Sequence, residues 1–220
     1  MKTIISASIL SADLRYLGDE MERTERSGAD YIHFDVMDGA FVNNISFGFP
    51  VLKAVKRSTS LPVDLHLMTE APSRYIERFA EKGADIITFH LEAEKDIRRT
   101  VSLIHSLGKK AGIAVKPSTP VSELLPFIDI IDMALIMTVE PGFGGQGLIC
   151  STEGKIRELR KYSDSAGLSL NIEVDGGINA DTARSVIADG ANVLVAGSYL
   201  YRSGDMAEAV RQLRSYADIR

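Results

Sequence analysis

The chain has 220 residues, a formal net charge of −5, 45% hydrophobic and 25% charged residues. That is the make-up of an ordinary soluble globule. An acidic balance with no basic stripe argues against a nucleic-acid partner, and no apolar run approaches a membrane span. The lone cysteine, Cys150, rules out an internal disulfide. Met1-Lys2-Thr3-Ile4-Ile5 lacks a signal-peptide core, so a cytoplasmic protein handling a small molecule is expected.

Thr3 to Leu10 reads as a first strand with Ser6 and Ser8 on one face. Ser11-Ala12-Asp13 opens a helix through about Arg26, which Gly28 stops. In Tyr31 to Gly39, Ile32, Phe34 and Val36 alternate with His33, Asp35 and Met37, the period of a strand. A long Asn- and Gly-bearing loop, Gly39 to Pro50, precedes a short helix at Val51 to Arg57. Leu61 to Met68 is the third strand, with His66 and Met68 on one face. Ala71-Pro72-Ser73 starts a helix ended by Gly83, and Ala84 to His90 is the fourth strand. A helix over Asp96 to Leu107, a strand over Ala111 to Val115 and a short helix around Ser122 to Pro126 follow. Met133 to Val139 is the sixth strand, Ser151 to Ala166 a helix, Leu170 to Val174 the seventh strand. Ala180 to Asp189 is a helix, Asn192 to Ala196 the eighth strand, and Asp205 to Tyr216 the last helix.

Alternating βα units predict a parallel sheet covered by helices. Eight of them, with no linker between, match the arithmetic of a closed (β/α)8 barrel in a single domain over residues 1–220. An open doubly wound sheet would need a glycine-rich turn after the first strand, and Ser8-Ile9-Leu10-Ser11-Ala12-Asp13 has none. In a barrel, chemistry sits at the carboxyl ends of strands. Ser8, His33, Asp35, His66, His90 and Asp175 all fall there; His105, inside a helix, receives no role.

His33, Asp35, His66 and Asp175 form a two-nitrogen, two-oxygen set converging from three strands. Buried without partners, such groups cost several kcal/mol. They therefore read either as a hydrogen-bond network or, preferably, as a divalent metal site, for which Zn comes first with Fe, Mn or Co as alternatives. Asp35 and Asp175, on strands that stand apart around the rim, can face opposite sides of a substrate. Pro141 to Gln146, Gly176-Gly177 and Gly197-Ser198 are glycine-bearing turns on three adjacent strand ends. Together they predict a phosphate site held by backbone N–H groups, with no Arg or Lys in the turns. Met37, Met68 and Met137 read as core filling or as an apolar floor.

Ser8 to Asp13, His33 to Gly39, His66-Leu67-Met68, Met137 to Gln146 and Glu173 to Ile178 resemble the ribulose-phosphate 3-epimerases, from the first strand to the last. The resemblance implies a barrel fold and a metal on His33, Asp35, His66 and Asp175, with Asp35 and Asp175 as the acid–base pair. It implies substrate contacts from Ser8 and His66, and a phosphate cradle from Gly142, Phe143, Gly144, Gly145, Gly176, Gly177, Gly197 and Ser198 beside Asp175. A homo-oligomer is expected. Ala7, Asn43, Lys116 and Leu148 depart from the family's usual Pro, Pro, Asn and Phe near loops that border the substrate. They remove no acid or ligand, and they leave both ribulose 5-phosphate and the hexulose allulose 6-phosphate open as substrates.

Inverting carbon 3 of a ketose phosphate requires removing a proton beside a carbonyl. That proton is less acidic than a carboxylic acid by about 15 pKa units, or ~20 kcal/mol. A lone carboxylate is insufficient, so the resemblance implies a metal-stabilised enediolate between two acids. Barrels that decarboxylate nucleotides or perform aldol chemistry carry Asp-x-Lys-x-x-Asp; here Met37 stands in the lysine's place. A non-catalytic sugar-phosphate sensor would be expected to lose one acid, and both are present.

Overall fold

Strict alternation turns one face of each strand toward helices and the other toward a common axis, and eight such strands close on themselves. The structure, a computed structural model, describes residues 2–216. The strands are β1 (Ile4–Ser8), β2 (Tyr31–Met37), β3 (Val63–Met68), β4 (Ile86–His90), β5 (Lys110–Val115), β6 (Met133–Met137), β7 (Asn171–Asp175) and β8 (Val193–Ala196). All neighbours are parallel and β8 pairs with β1, making a closed barrel in sequence order. The helices are α1 (Leu17–Arg26), α2 (Phe49–Ser58), α3 (Ile76–Lys82), α4 (Ile97–Ser106), α5 (Glu153–Ser165), α6 (Ala180–Asp189), α7 (Ser198–Tyr201) and α8 (Met206–Ser215). The fold is the expected (β/α)8 barrel. No helix among the described residues is long and apolar enough to cross a membrane.

Several expected boundaries move. The first strand ends at Ser8, because Ile9–Ser11 winds into a 3-10 turn. The next helix begins at Leu17 rather than at Ser11 to Asp13. Asp13 instead caps a separate 3-10 turn, Leu14–Tyr16, accepting a hydrogen bond from the Arg15 amide. Ala71 sits at φ 46, so Pro72–Arg74 forms a detached turn and α3 starts only at Ile76. The short helix around Ser122 to Pro126 is two 3-10 turns, Val121–Glu123 and Leu125–Phe127. Proline 126 lies in the first turn of the second and removes a donor there. The one-turn α7 directly after β8 was not anticipated, since four residues are too few to show a helical period.

The main core lies between barrel and helices. It holds Ile32, Phe34, Leu65, Leu67, Ile87 and Phe89 from the outward strand faces, packed against Leu52, Ile76, Val101 and Leu159. Each fully buried large apolar chain contributes about 1.5–3 kcal/mol. The barrel interior is layered. Its bottom layer is apolar, with Ile86, Met133 and Val193 packed by Ile4 and Tyr31. Two residues further along the same inward faces stand Ser6, His33, Asp64 and Glu173, all fully buried. One step higher lie Ser8, Asp35, His66, His90 and Asp175. The parallel register sets Asp35 beside His66, and Asp175 beside Met137 and Val195.

Candidate functional site at the carboxyl ends of the strands

His33, Asp35, His66 and Asp175 each place one donor atom within 4.8 Å of all the others. Asp35 Oδ1 lies 3.2 Å from both His33 Nε2 and His66 Nδ1. Asp175 Oδ2 lies 3.9 Å and 3.8 Å from the same two nitrogens. The set that the alternation predicted is therefore one cluster.

The layer beneath orients it. His33 Nδ1 is 2.7 Å from Asp64 Oδ2, which also accepts a 2.8 Å hydrogen bond from the Ser6 hydroxyl. In the neutral ring a carboxylate there keeps the His33 proton on Nδ1 and turns Nε2 toward the cluster, the arrangement of a metal-ligating histidine and its supporting acid. His33 Nε2 is buried without a hydrogen-bond partner among the described residues. A buried nitrogen left unpaired against two carboxylates is what a divalent cation would satisfy. On that observation the four residues fit a metal of the Zn, Fe, Mn or Co type.

The two acids differ. Burial works to raise the Asp35 carboxyl, but the charges of His33 and His66, with the hydrogen bond from His66, outweigh it and hold it well below the usual carboxylate range. Ser8 Oγ also donates to Asp35 Oδ2 at 2.7 Å. Burial, followed by the charge of Asp35, pushes Asp175 up to about 6. For His33, burial favours the neutral ring, and the charges of Asp35 and Asp64 overturn it, raising the ring well above its ordinary value. Glu173 is pushed well up by burial and by Asp64.

Above the cluster opens a cavity of about 610 Å³. Ser8, Asp35, Asp175, Gly142, Phe143, Gly144, Gly145, Gly176, Gly177, Gly197 and Ser198 all line it. His66 does not: it is fully buried behind the wall, with Nδ1 on Asp35 and Nε2 on His90. Met37, Met68 and Met137 are both core residues and part of the wall, so the two readings of them coincide. Gly177 is required by geometry. Its φ is +69, and a Cβ would lie 2.4 Å from the Leu148 amide nitrogen, so a side chain would push the β6 loop away. The loops after β2 and β6 meet over the mouth, where Asn44 Nδ2 donates to the Gly142 carbonyl at 2.8 Å.

Ser11 and Arg202 also line the cavity. Arg202 lies just past α7, outside the glycine turns, which themselves hold no cation. Asp64 and Glu173, two further buried acids, share the inward faces of His66 and Asp175 two positions on, a signal that alternation alone carries. Of the four departures from the family pattern, Leu148 lines the cavity. Ala7, by contrast, is on the outward face of β1 in the main core, which corrects its expected place beside substrate.

A family model described as the ribulose-phosphate 3 epimerase family matches residues 4–201. The chain is 49% identical over 211 residues to the ribulose-phosphate 3-epimerase of Bacillus subtilis, covering 96% of this chain and 97% of that one. It is 41% identical over 213 residues to the Escherichia coli K12 protein of the same name, covering 96% and 95%. In fold it is similar to KGPDC from Streptococcus mutans, with a TM-score of 0.73 at 12% identity over 100% of this chain and 99% of that one. A closed parallel barrel, a cluster of two imidazoles and two acids at its carboxyl end, and near-full-length likeness at up to 49% identity lead to one conclusion: this chain is an isomerase of the ribulose-phosphate 3-epimerase family.

Proposed function

We propose that the chain interconverts D-ribulose 5-phosphate and D-xylulose 5-phosphate with a divalent metal on His33, Asp35, His66 and Asp175. The observation that carries the reading is the convergence of two acids, from strands either side of β8 and β1, on one pair of imidazoles at 3.2 Å and 3.8–3.9 Å; the same setting holds Asp35 low and pushes Asp175 up to about 6. Environments that push paired carboxyls apart assign the base and the acid. Asp35 takes the C3 proton from one face of the bound ketose, and Asp175 returns a proton to the other; the reverse reaction exchanges their roles. When bound, the metal supplies Lewis-acid stabilisation of the charge that develops on the ketose oxygens. Ser8 holds Asp35 by its unused oxygen, so the base keeps one orientation.

The phosphate is held by the amides of Gly142 to Gly145, Gly176, Gly177, Gly197 and Ser198. Support comes from their shared place on the cavity wall and from the lack of a side-chain cap on α7, which leaves its first N–H groups open. The three methionines keep water from the reacting face. The single-domain reading of residues 1–220, a cytoplasmic setting and a homo-oligomeric state belong to the same proposal.

The test is kinetic. Purified protein of measured metal content is assayed on ribulose 5-phosphate and on allulose 6-phosphate, before and after chelation. The proposal expects kcat/KM to favour the pentulose, to vanish with the metal and to return on readdition. Preference for the hexulose phosphate would move the chain to the alternative, allulose 6-phosphate 3-epimerase. Full activity after complete metal removal would sink the metal-dependent scheme.

A further inference from the structure

Behind His66 runs a chain of hydrogen bonds that the epimerase reading does not use. His66 Nε2 lies 3.0 Å from His90 Nε2, the two rings tilted by 32°. His90 Nδ1 lies 3.2 Å from Glu92 Oε2. The other oxygen, Glu92 Oε1, accepts the Lys116 backbone N–H at 2.8 Å and the Thr119 hydroxyl. His90 is fully buried, with the Phe41 ring 4.8 Å away and the Lys116 ammonium 4.0 Å from that ring on its far path to solvent.

The chain has one direction. A carboxylate can only accept, so His90 carries its proton on Nδ1 and offers the lone pair of Nε2. His66 must then donate from Nε2; its hydrogen bond to Asp35 Oδ1 calls for a second proton in the ion-free chain, and that proton sits on the one atom left to ligate, Nδ1. That atom faces Asp35 Oδ1 at 3.2 Å and Asp175 Oδ2 at 3.8 Å. A cation between Nδ1 and these oxygens would replace that second proton and leave the one on Nε2.

We propose that His90 and Glu92 are positioning residues that hold a proton on His66 Nε2, so that Nδ1 is the atom given to the ion site. The proposal rests on the metal reading above, but its first step concerns the Nε2 proton alone. His33 is oriented directly by Asp64; His66 is oriented through an intervening imidazole. The loop after β5, which holds Glu92 by the Lys116 amide and Thr119, is thereby tied to the ligand.

The informative variant is Glu92→Gln, which keeps size and shape. The Lys116 N–H can only donate, so the amide oxygen must face it and the NH2 must face His90 Nδ1. The His90 proton then moves to Nε2, opposes the proton on His66 Nε2 and drives the latter off, so that the ring's remaining proton stays on Nδ1, where it blocks the ligand. Two measurements follow on wild type and on E92Q, each checked for a retained fold by circular dichroism. In long-range 15N–1H spectra of metal-free, 15N-histidine-labelled protein, wild-type His66 is expected to carry a proton on Nε2 and E92Q to have lost it. In competition with a chromophoric chelator, E92Q and His90→Ala should bind Zn about 10- to 100-fold more weakly, with Glu92→Asp, which still accepts, recovering much of the loss. A wild-type His66 without a proton on Nε2, or unchanged Zn affinity in folded E92Q, would overturn the proposal. A wild type that carries the Nε2 proton yet takes no zinc would uphold the positioning role and bring down the metal reading instead.

Discussion

Asp35 and Asp175 lean on the same two imidazole nitrogens from strands separated by β1 and β8, one at 3.2 Å and the other at 3.8–3.9 Å. The nearer acid takes most of the imidazole charge and stays ionised. The farther one is pushed up to about 6 by burial first and then by its neighbour's negative charge. Burial acting on both, with unequal approach to the imidazoles, thus separates two chemically identical groups into base and acid.

Replacing either acid by Asn should lower epimerisation by about 100- to 10,000-fold, the usual weight of a positioned acid or base. The variants should differ in isotope exchange. With one acid left, deuterium from solvent enters C3 of one epimer without inversion, and the two variants should act on opposite epimers. NMR of each epimer in D2O reads this; exchange into both epimers by the same variant would rule out the two-sided scheme.

Metal affinity should rise with pH. Asp175 is protonated up to about 6 and the His33 ring is raised well above its ordinary value, so at low pH two of four donors hold protons that a cation must displace. Each displaced proton costs about tenfold in affinity per pH unit below the pKa of its group. Affinity is therefore expected to climb by roughly 100-fold per unit below pH ~6 and less steeply above it. Chelator competition from pH 4.5 to 7.5 measures the slope, and a flat profile would contradict the assignment of both ligands.

Ser8→Ala removes the 2.7 Å hydrogen bond to Asp35 Oδ2. A hydrogen bond to a charged group is worth about 1.5–3 kcal/mol, or ~10- to 100-fold. The loss should appear mainly in kcat, with Zn affinity close to wild type, because the opposite oxygen of Asp35 faces the imidazoles. Equal losses in kcat and in metal binding would place Ser8 among the supports of the ion instead.

Gly177→Ala tests the cradle. The left-handed backbone alone costs an alanine about 1–2 kcal/mol, and the added Cβ would meet the Leu148 backbone 2.4 Å away. A lowered Tm and a raised KM for the phosphorylated substrate are expected, with less change in metal affinity. An unchanged KM would remove this turn from the phosphate site.

Much of the architecture could be read from alternation and punctuation alone. The sheet order, the helix over Ala180–Asp189 and the turning of His33, Asp35, His66 and Asp175 to the inward strand faces rest on local rules: period two in a strand, a cap at its helix, a glycine at its stop. Those rules act within a few residues, and a linear chain displays them. The turns around Ala12, Ala71 and Pro126 depart from the expected helices because weak local preferences there yield to how the chain must re-enter the barrel wall.

What composition and spacing could not supply is which polar atoms share a space and which way their protons point. Asp64 supporting His33, Glu92 reaching His66 through His90, and Arg202 joining the cavity are pairings between strands or across loops, set by barrel closure. The unequal protonation of Asp35 and Asp175 likewise has no trace in the letters, where both are simply aspartate. It arises from distance, burial and charge in three dimensions, and only the folded chain fixes all three.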